Sequence, residues 1–193
     1  MIKRDISHKA IVLTERYEGY SSKAYPCLSG KQMLIGYGHA CNFQEGYKID
    51  PQQARKYLLD DLKKAGTYVN NRICQYVELD QNQYDALVCF AFNLTTIKDN
   101  LFECLINKDF VRAVEWLLEY RNVIDANGKK TYHLGLHRRR VAEAILFTGF
   151  EVNTATLSDI RNRYTEIELL EFSKNLINWY ENKIAMKQLA IHN

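Results

Sequence analysis

Apolar residues recur at helical spacing from the start of the chain: Ile6, Ala10, Leu13 and Tyr17 share one face, Asp5 or Ser7 stands where a cap belongs, and Gly19 follows the last turn. The spacing predicts a helix over residues 7–18, ending on Glu18. The pattern then breaks. Ser21, Ser22, Gly30, Gly36 and Gly38 interrupt short extended pieces at 23–25 and 33–35, which reads as a hairpin with loops and as the only plausible sheet. Helical periodicity returns after Asp50, a cap with Pro51 in the first helical position, and places Ala54, Leu58, Leu62, Ala65 and Val69 on one face. This helix is long enough to link two lobes.

Asp80 followed by Gln83 has the spacing of a capping box, and Ala86, Leu87, Phe90 and Ala91 then mark a helix apolar enough to be the buried central one. Further helices are expected over 97–107 and 109–121. A turn follows at 125–128, then a basic-to-apolar helix over 137–148 that Gly149 stops. Residues 151–156 are polar and linker-like. Beyond them Ser158 can cap one long amphipathic helix carrying Ile160, Tyr164, Ile167, Leu176, Trp179 and Ile184. The expected organisation is a domain over 1–150 and a helical extension over 151–193, which packs on that domain or mediates a protein contact.

Composition narrows the class. With 2 prolines and 9 glycines in 193 residues, and few strictly alternating segments, most of the chain should be helical, giving an α+β fold that is predominantly α. The formal charge of +3 is too mild to indicate a nucleic-acid partner but suits approach to an anionic surface. The basic excess lies before residue 151, because the remainder carries six acids against five bases. Five cysteines, an odd number with no CxxC pair, indicate neither a disulfide framework nor a zinc site. The first segment is too charged for a signal peptide or an anchor, so synthesis in the cytoplasm and no membrane insertion are expected.

The unusual residues concentrate between Glu18 and His39. Glu18-Gly19, Cys27, Gly30 and then Ile35-Gly36-Tyr37-Gly38-His39 together resemble the active-site segment of phage-type lysozymes and endolysins, glycoside hydrolase family 24. Residues 79–94 resemble that family's central helix and residues 135–147 its closing basic helix. The resemblance implies a two-lobed lysozyme-like fold with the glycan in the cleft, and hydrolysis of the β-1,4 bond between N-acetylmuramic acid and N-acetylglucosamine in bacterial peptidoglycan. No cofactor is implied. It also implies action on the cell wall after release by a holin or a secretion system.

On the same resemblance, the catalytic acid falls on Glu18, at a helix C-terminus where the dipole disfavours a carboxylate. A second site position, Asp in some members and Cys in others, falls on Cys27, whose thiol has a reference pKa of about 8.5 and is mostly neutral at pH 7. The family's threonine before IleGly is replaced by Leu34, with Ser29 the nearest hydroxyl. Arg138 matches the basic residue facing the acid, and His39 is a candidate for holding Glu18 or its loop. Tyr37, Gln83 and Asn93 are candidate sugar contacts, since aromatic faces and amides hold saccharides. Three readings stay open: a hydrolysing muramidase, a lytic transglycosylase using Glu18 alone, and a catalytically weak module that binds the wall or a partner.

Overall fold

The computed structural model describes residues 3–27, 30–124 and 128–191. Helix α1 (His8–Glu18) starts at Ser7, whose side chain accepts from Lys9 N–H, and stops at Gly19, where φ is +70°. A three-stranded antiparallel sheet follows, with β1 (Ser21–Pro26) paired to β2 (Met33–Gly36) and β2 to β3 (His39–Cys41). The expected hairpin is therefore present, with longer strands and one strand more than the sequence pattern suggested. Residues 46–49 run along the outer edge of β1, where Ala24 N–H donates to Tyr47 O at 2.8 Å.

Helix α2 (Pro51–Val69) contacts β2 and β3 as well as α3 (Gln81–Leu94), so it joins the sheet to the helical part as its length predicted. Gly36, with φ +65°, is needed at that junction, because a Cβ there would meet the Ala54 Cβ at 3.0 Å. A π-turn at Asn70–Cys74 ends α2. Asp80 and Gln83 form the expected capping box, and α3 is buried continuously from Gln83 to Ala91. Helix α6 (Leu134–Thr148) packs along α3, and α4 (Asp99–Ile106) packs on α5 (Phe110–Glu119), which in turn packs on α6.

Two expectations are corrected. A second sheet exists, formed by β4 (Asn122–Ile124) and β5 (Lys130–Tyr132). Three-residue strands are too short to show a period, which is why the pattern hid them. The expected turn at 125–128 lies largely outside the described residues. The long helix after Ser158 is two helices, α7 (Thr154–Asn162) and α8 (Glu166–Ile191). The caps explain the break: Asn153 accepts from Thr156 N–H at 2.8 Å, and Thr165 pairs reciprocally with Glu168 to start α8.

Ile160, Leu169, Leu176 and Tyr180 of α7 and α8 lie in the same apolar cluster as Phe90, Val141 and Phe147. The extension therefore shares the core of the preceding helices. Among the described residues, no helix is long and apolar enough to cross a membrane.

Candidate active site

Helix α1 is fixed at its far end by a buried carboxylate. Asp85 of α3, fully buried, accepts from both the backbone N–H and the hydroxyl of Ser7 and from Gln81 Nε2 at 3.1 Å. Ala10 and Thr14 then pack on Cys89, so α1 lies along α3 with little freedom to slide. Glu18 arrives as the last helical residue, its side chain 20% exposed.

Its two carboxylate oxygens have different surroundings. Oε1 accepts from Arg139 Nη1, whereas Oε2 faces the glycine-rich turn, 3.5 Å from where a Cβ on Gly38 would sit. Gly38 has φ +82°, so the turn depends on glycine for its shape as well as for its proximity to the acid. Tyrosines adjoin this segment: the rings of Tyr20 and Tyr37 lie 5.7 Å apart, and Tyr25 is 38% exposed. Burial, and then the charge of Glu18, push the Tyr25 phenol above its ordinary range, which places Tyr25 within the field of the acid.

Behind Glu18 lies a network of buried charge. Arg139 also donates from Nε to Glu143 Oε1 at 3.0 Å and from Nη2 to Cys89 O at 3.3 Å, so three acceptors fix its guanidinium. Glu143 is fully buried, and its Oε2 lies 2.9 Å from Arg140 Nη1, at ion-pair distance but without hydrogen-bond angles. Arg140 stacks 4.7 Å over Phe90 and donates from Nη2 to Asn93 Oδ1. The two arginines respond oppositely to burial. Burial opposes the charge on Arg139, but Glu143 and Glu18 outweigh it and hold that guanidinium above its ordinary value. Arg140 has Glu143 as its close carboxylate, and burial prevails there, pushing it down.

The residue gripping Glu18 is thus Arg139, and Arg138 is corrected. Arg138 donates instead to the carbonyl of Tyr164, because consecutive helical residues point in different directions around α6, and residue 139 is the one that reaches both Glu143 and Glu18. His39 does not hold Glu18 either. Its Nδ1 lies 2.6 Å from Asp61 Oδ2 and its ring stacks 4.3 Å from Tyr57, so it ties β3 to α2. Gln83 is 6% exposed, committed to the capping box and 3.5 Å from the Tyr180 hydroxyl, so its amide is engaged within the fold beside α8. Asn93 and Tyr37 stay half-exposed beside the network and the hairpin.

Cys27 leaves β1 with its N–H donating to Gln32 O at 2.8 Å, and its carbonyl accepts from Gly30 N–H at 2.8 Å. None of the five cysteines is in a disulfide. Leu34 pairs across the sheet with Tyr25 and presents no hydroxyl, and Ser29 lies outside the described residues. Among the described residues, no cluster of three or more His, Cys, Asp or Glu side chains is arranged for a metal ion. An apolar groove of about 730 Å³ opens between α1, α6 and residues 149–157, and none of the candidate site residues lines it. Tyr20, Tyr25, Arg139 and Glu143 were not singled out as site residues from the sequence. Two tyrosines within the seven residues after Glu18 were the available signal for the first two.

The candidate site is thus a carboxyl at the end of a helix, held by an arginine from α6 and facing a glycine turn. Residues 15–143 match the phage lysozyme family, and the chain belongs to it: it is a peptidoglycan-degrading muramidase, a glycoside hydrolase. It is 37% identical over 145 residues to an endolysin of Acyrthosiphon pisum secondary endosymbiont phage 1, covering 74% of this chain and 97% of that protein. Among solved structures it resembles the endolysin from Escherichia coli O157:H7 phage FAHEc1, with TM-score 0.67 and 30% identity over 75% of this chain and 93% of the other. The muramidase domain of SpmX from Asticaccaulis excentricus gives TM-score 0.67 and 28% identity over 75% and 97%. The family match ends at residue 143, before the extension.

Proposed function

We propose that Glu18 is the general acid that protonates the glycosidic oxygen between N-acetylmuramic acid and N-acetylglucosamine, through Oε2. The observation that carries this reading is the asymmetry of its carboxyl: Arg139 occupies Oε1, and Oε2 is left facing the turn at Gly38. Proton delivery requires a donor within hydrogen-bond reach of the leaving oxygen and held in one orientation, and the arginine supplies the orientation. Tyr20, Tyr25 and Tyr37 offer ring faces for the sugars, and Asn93 an amide. Cys27 supports the water that completes hydrolysis without acting as a strong base.

Clearing of a peptidoglycan suspension by the full chain, and its loss in Glu18→Gln that melts normally, tests the assignment. Equal clearing by both proteins would remove Glu18 from the reaction. A second reading is favoured by one observation: Leu34 offers no hydroxyl where the family has a threonine. In that reading the substrate's own hydroxyl attacks and an anhydro-sugar is released. Muropeptides released in ¹⁸O-water carry the label for hydrolysis and none for the transfer.

Residues 1–150 form the catalytic domain and 151–193 an extension integral to its helical side. The protein reaches the wall by release through a holin or a secretion system, and a lysis assay with and without a co-expressed holin tests that route.

A further inference from the structure

The extension meets the scaffold of the active site at a point that the reaction alone does not explain. Arg138, one residue before the arginine that grips Glu18, sends Nε and Nη2 to the single carbonyl of Tyr164, at 3.3 and 2.9 Å. That carbonyl is a fixed acceptor. The Tyr164 N–H donates to Asp159 O at 2.8 Å, its ring packs 6.3 Å from Phe172, and the next residue, Thr165, caps α8. On its other side, the Arg138 carbonyl accepts from the Tyr17 hydroxyl at 3.1 Å, and Tyr17 immediately precedes Glu18. Burial, and then Glu143, push the Tyr17 phenol up to about 12, so it remains a donor.

A continuous chain of contacts thus runs from the junction of α7 and α8, through Arg138, to the last turn of α1. In parallel, the adjacent Arg139 holds the acid itself. The first turns of α6 need such an anchor, because the segment before them is a hairpin of three-residue strands with Val123 and Ile124 exposed. A small rotation of α6 about its axis would move the Arg139 guanidinium and turn the carboxyl it holds, and misplacement on the scale of 1 Å costs up to about a hundred-fold in rate.

We propose that Arg138 is a positioning residue for Glu18, tying α6 to the extension so that residues 151–193 help set the direction of the acid. This rests on the reading of Glu18 as the proton donor. A role limited to stability would move melting and leave turnover of the folded protein unchanged, whereas positioning appears in kcat.

The test is steady-state kinetics of the full chain on soluble, uncrosslinked glycan strands, for wild type, Arg138→Ala, Arg138→Lys, Tyr17→Phe, the Arg138→Ala/Tyr17→Phe pair and Glu18→Gln. Arg138→Ala is expected to lower kcat by about ten-fold with KM within about two-fold. Low-millimolar guanidinium restores part of it. The double variant is no worse than Arg138→Ala, since both changes cut one chain of contacts. Arg163→Ala, an exposed arginine of the same segment, leaves kcat unchanged. If Arg138→Ala fails to fold, lowered kcat in both Arg138→Lys and Tyr17→Phe sustains the proposal. Wild-type kcat in folded Arg138→Ala, or in both of those variants, overturns it, as does full additivity in the double variant. An active Glu18→Gln would instead overturn the assignment of the acid, which is a separate result.

Discussion

On the hairpin side of Glu18 the neighbours are glycine backbone and half-exposed tyrosine rings, and on the α6 side they are two buried arginines and a buried glutamate. The first side is local: Glu18 and Gly38 stand twenty residues apart, and positive φ at Gly36 and Gly38 shapes the turn. The second is long-range, since Arg139 reaches Glu18 across 121 positions. The hairpin side is partly exposed, while the α6 side is buried and holds Oε1. Together they give Glu18 one oxygen held by Arg139 and one facing the turn.

Breaking the α6 side should have the larger effect. Arg139→Gln removes one of the two arginines that face buried Glu143 and leaves it only Arg140, so a loss of up to about 3 kcal/mol is expected by urea denaturation, with activity of the remaining folded protein down about a hundred-fold. Unchanged stability would mean that the network adds nothing to the fold. On the hairpin side, Gly38→Ala forces a side chain into φ +82° at a cost of about 1–2 kcal/mol. The new Cβ makes only ordinary contact with Oε2, so activity should fall about ten-fold or less. A larger loss there than at Arg139 would invert the comparison.

The same helix carries a pH response. Burial, and then Arg121, lower His137 from 6.5 to about 4, while its Nδ1 lies 3.0 Å from the Tyr132 hydroxyl. The unfolded chain takes up the proton as pH falls through 6.5, and the folded chain does so only near 4. The contribution is therefore complete above pH 6.5 and is lost between 6.5 and 4, at up to about 1.4 kcal/mol per pH unit. Melting of wild type and His137→Gln across that window should show the flatter slope in the variant. The smallest effect is expected at His39→Phe, which keeps the stacking on Tyr57 but loses the bond to Asp61, for about 1 kcal/mol in stability and little in activity. A large loss of activity would bring His39 back into the site.

The difference between the two sides also explains what could be read from the chain. Glu18, the glycine turn, the Asp50 and Asp80 caps and the apolar run of α3 are local signals, and each stands where the pattern placed it. Arg139 could not be separated from Arg138 and Arg140, because which of three consecutive arginines faces a partner depends on the rotation of α6 against α1 and α3. Gln83 had the chemistry of a sugar contact, but its amide is engaged beside Tyr180, a residue 97 positions away whose docking no local pattern reports. The break before α8 was missed because apolar periodicity continues through Tyr164 while Thr165 restarts the helix.

The central claim, that Oε2 of Glu18 delivers the proton for cleavage of the glycan, is tested most directly by mass spectrometry of muropeptides released in ¹⁸O-water by wild type and by folded Glu18→Gln. Labelled reducing ends from wild type and no release from the variant are predicted, whereas equal release from both would contradict the claim.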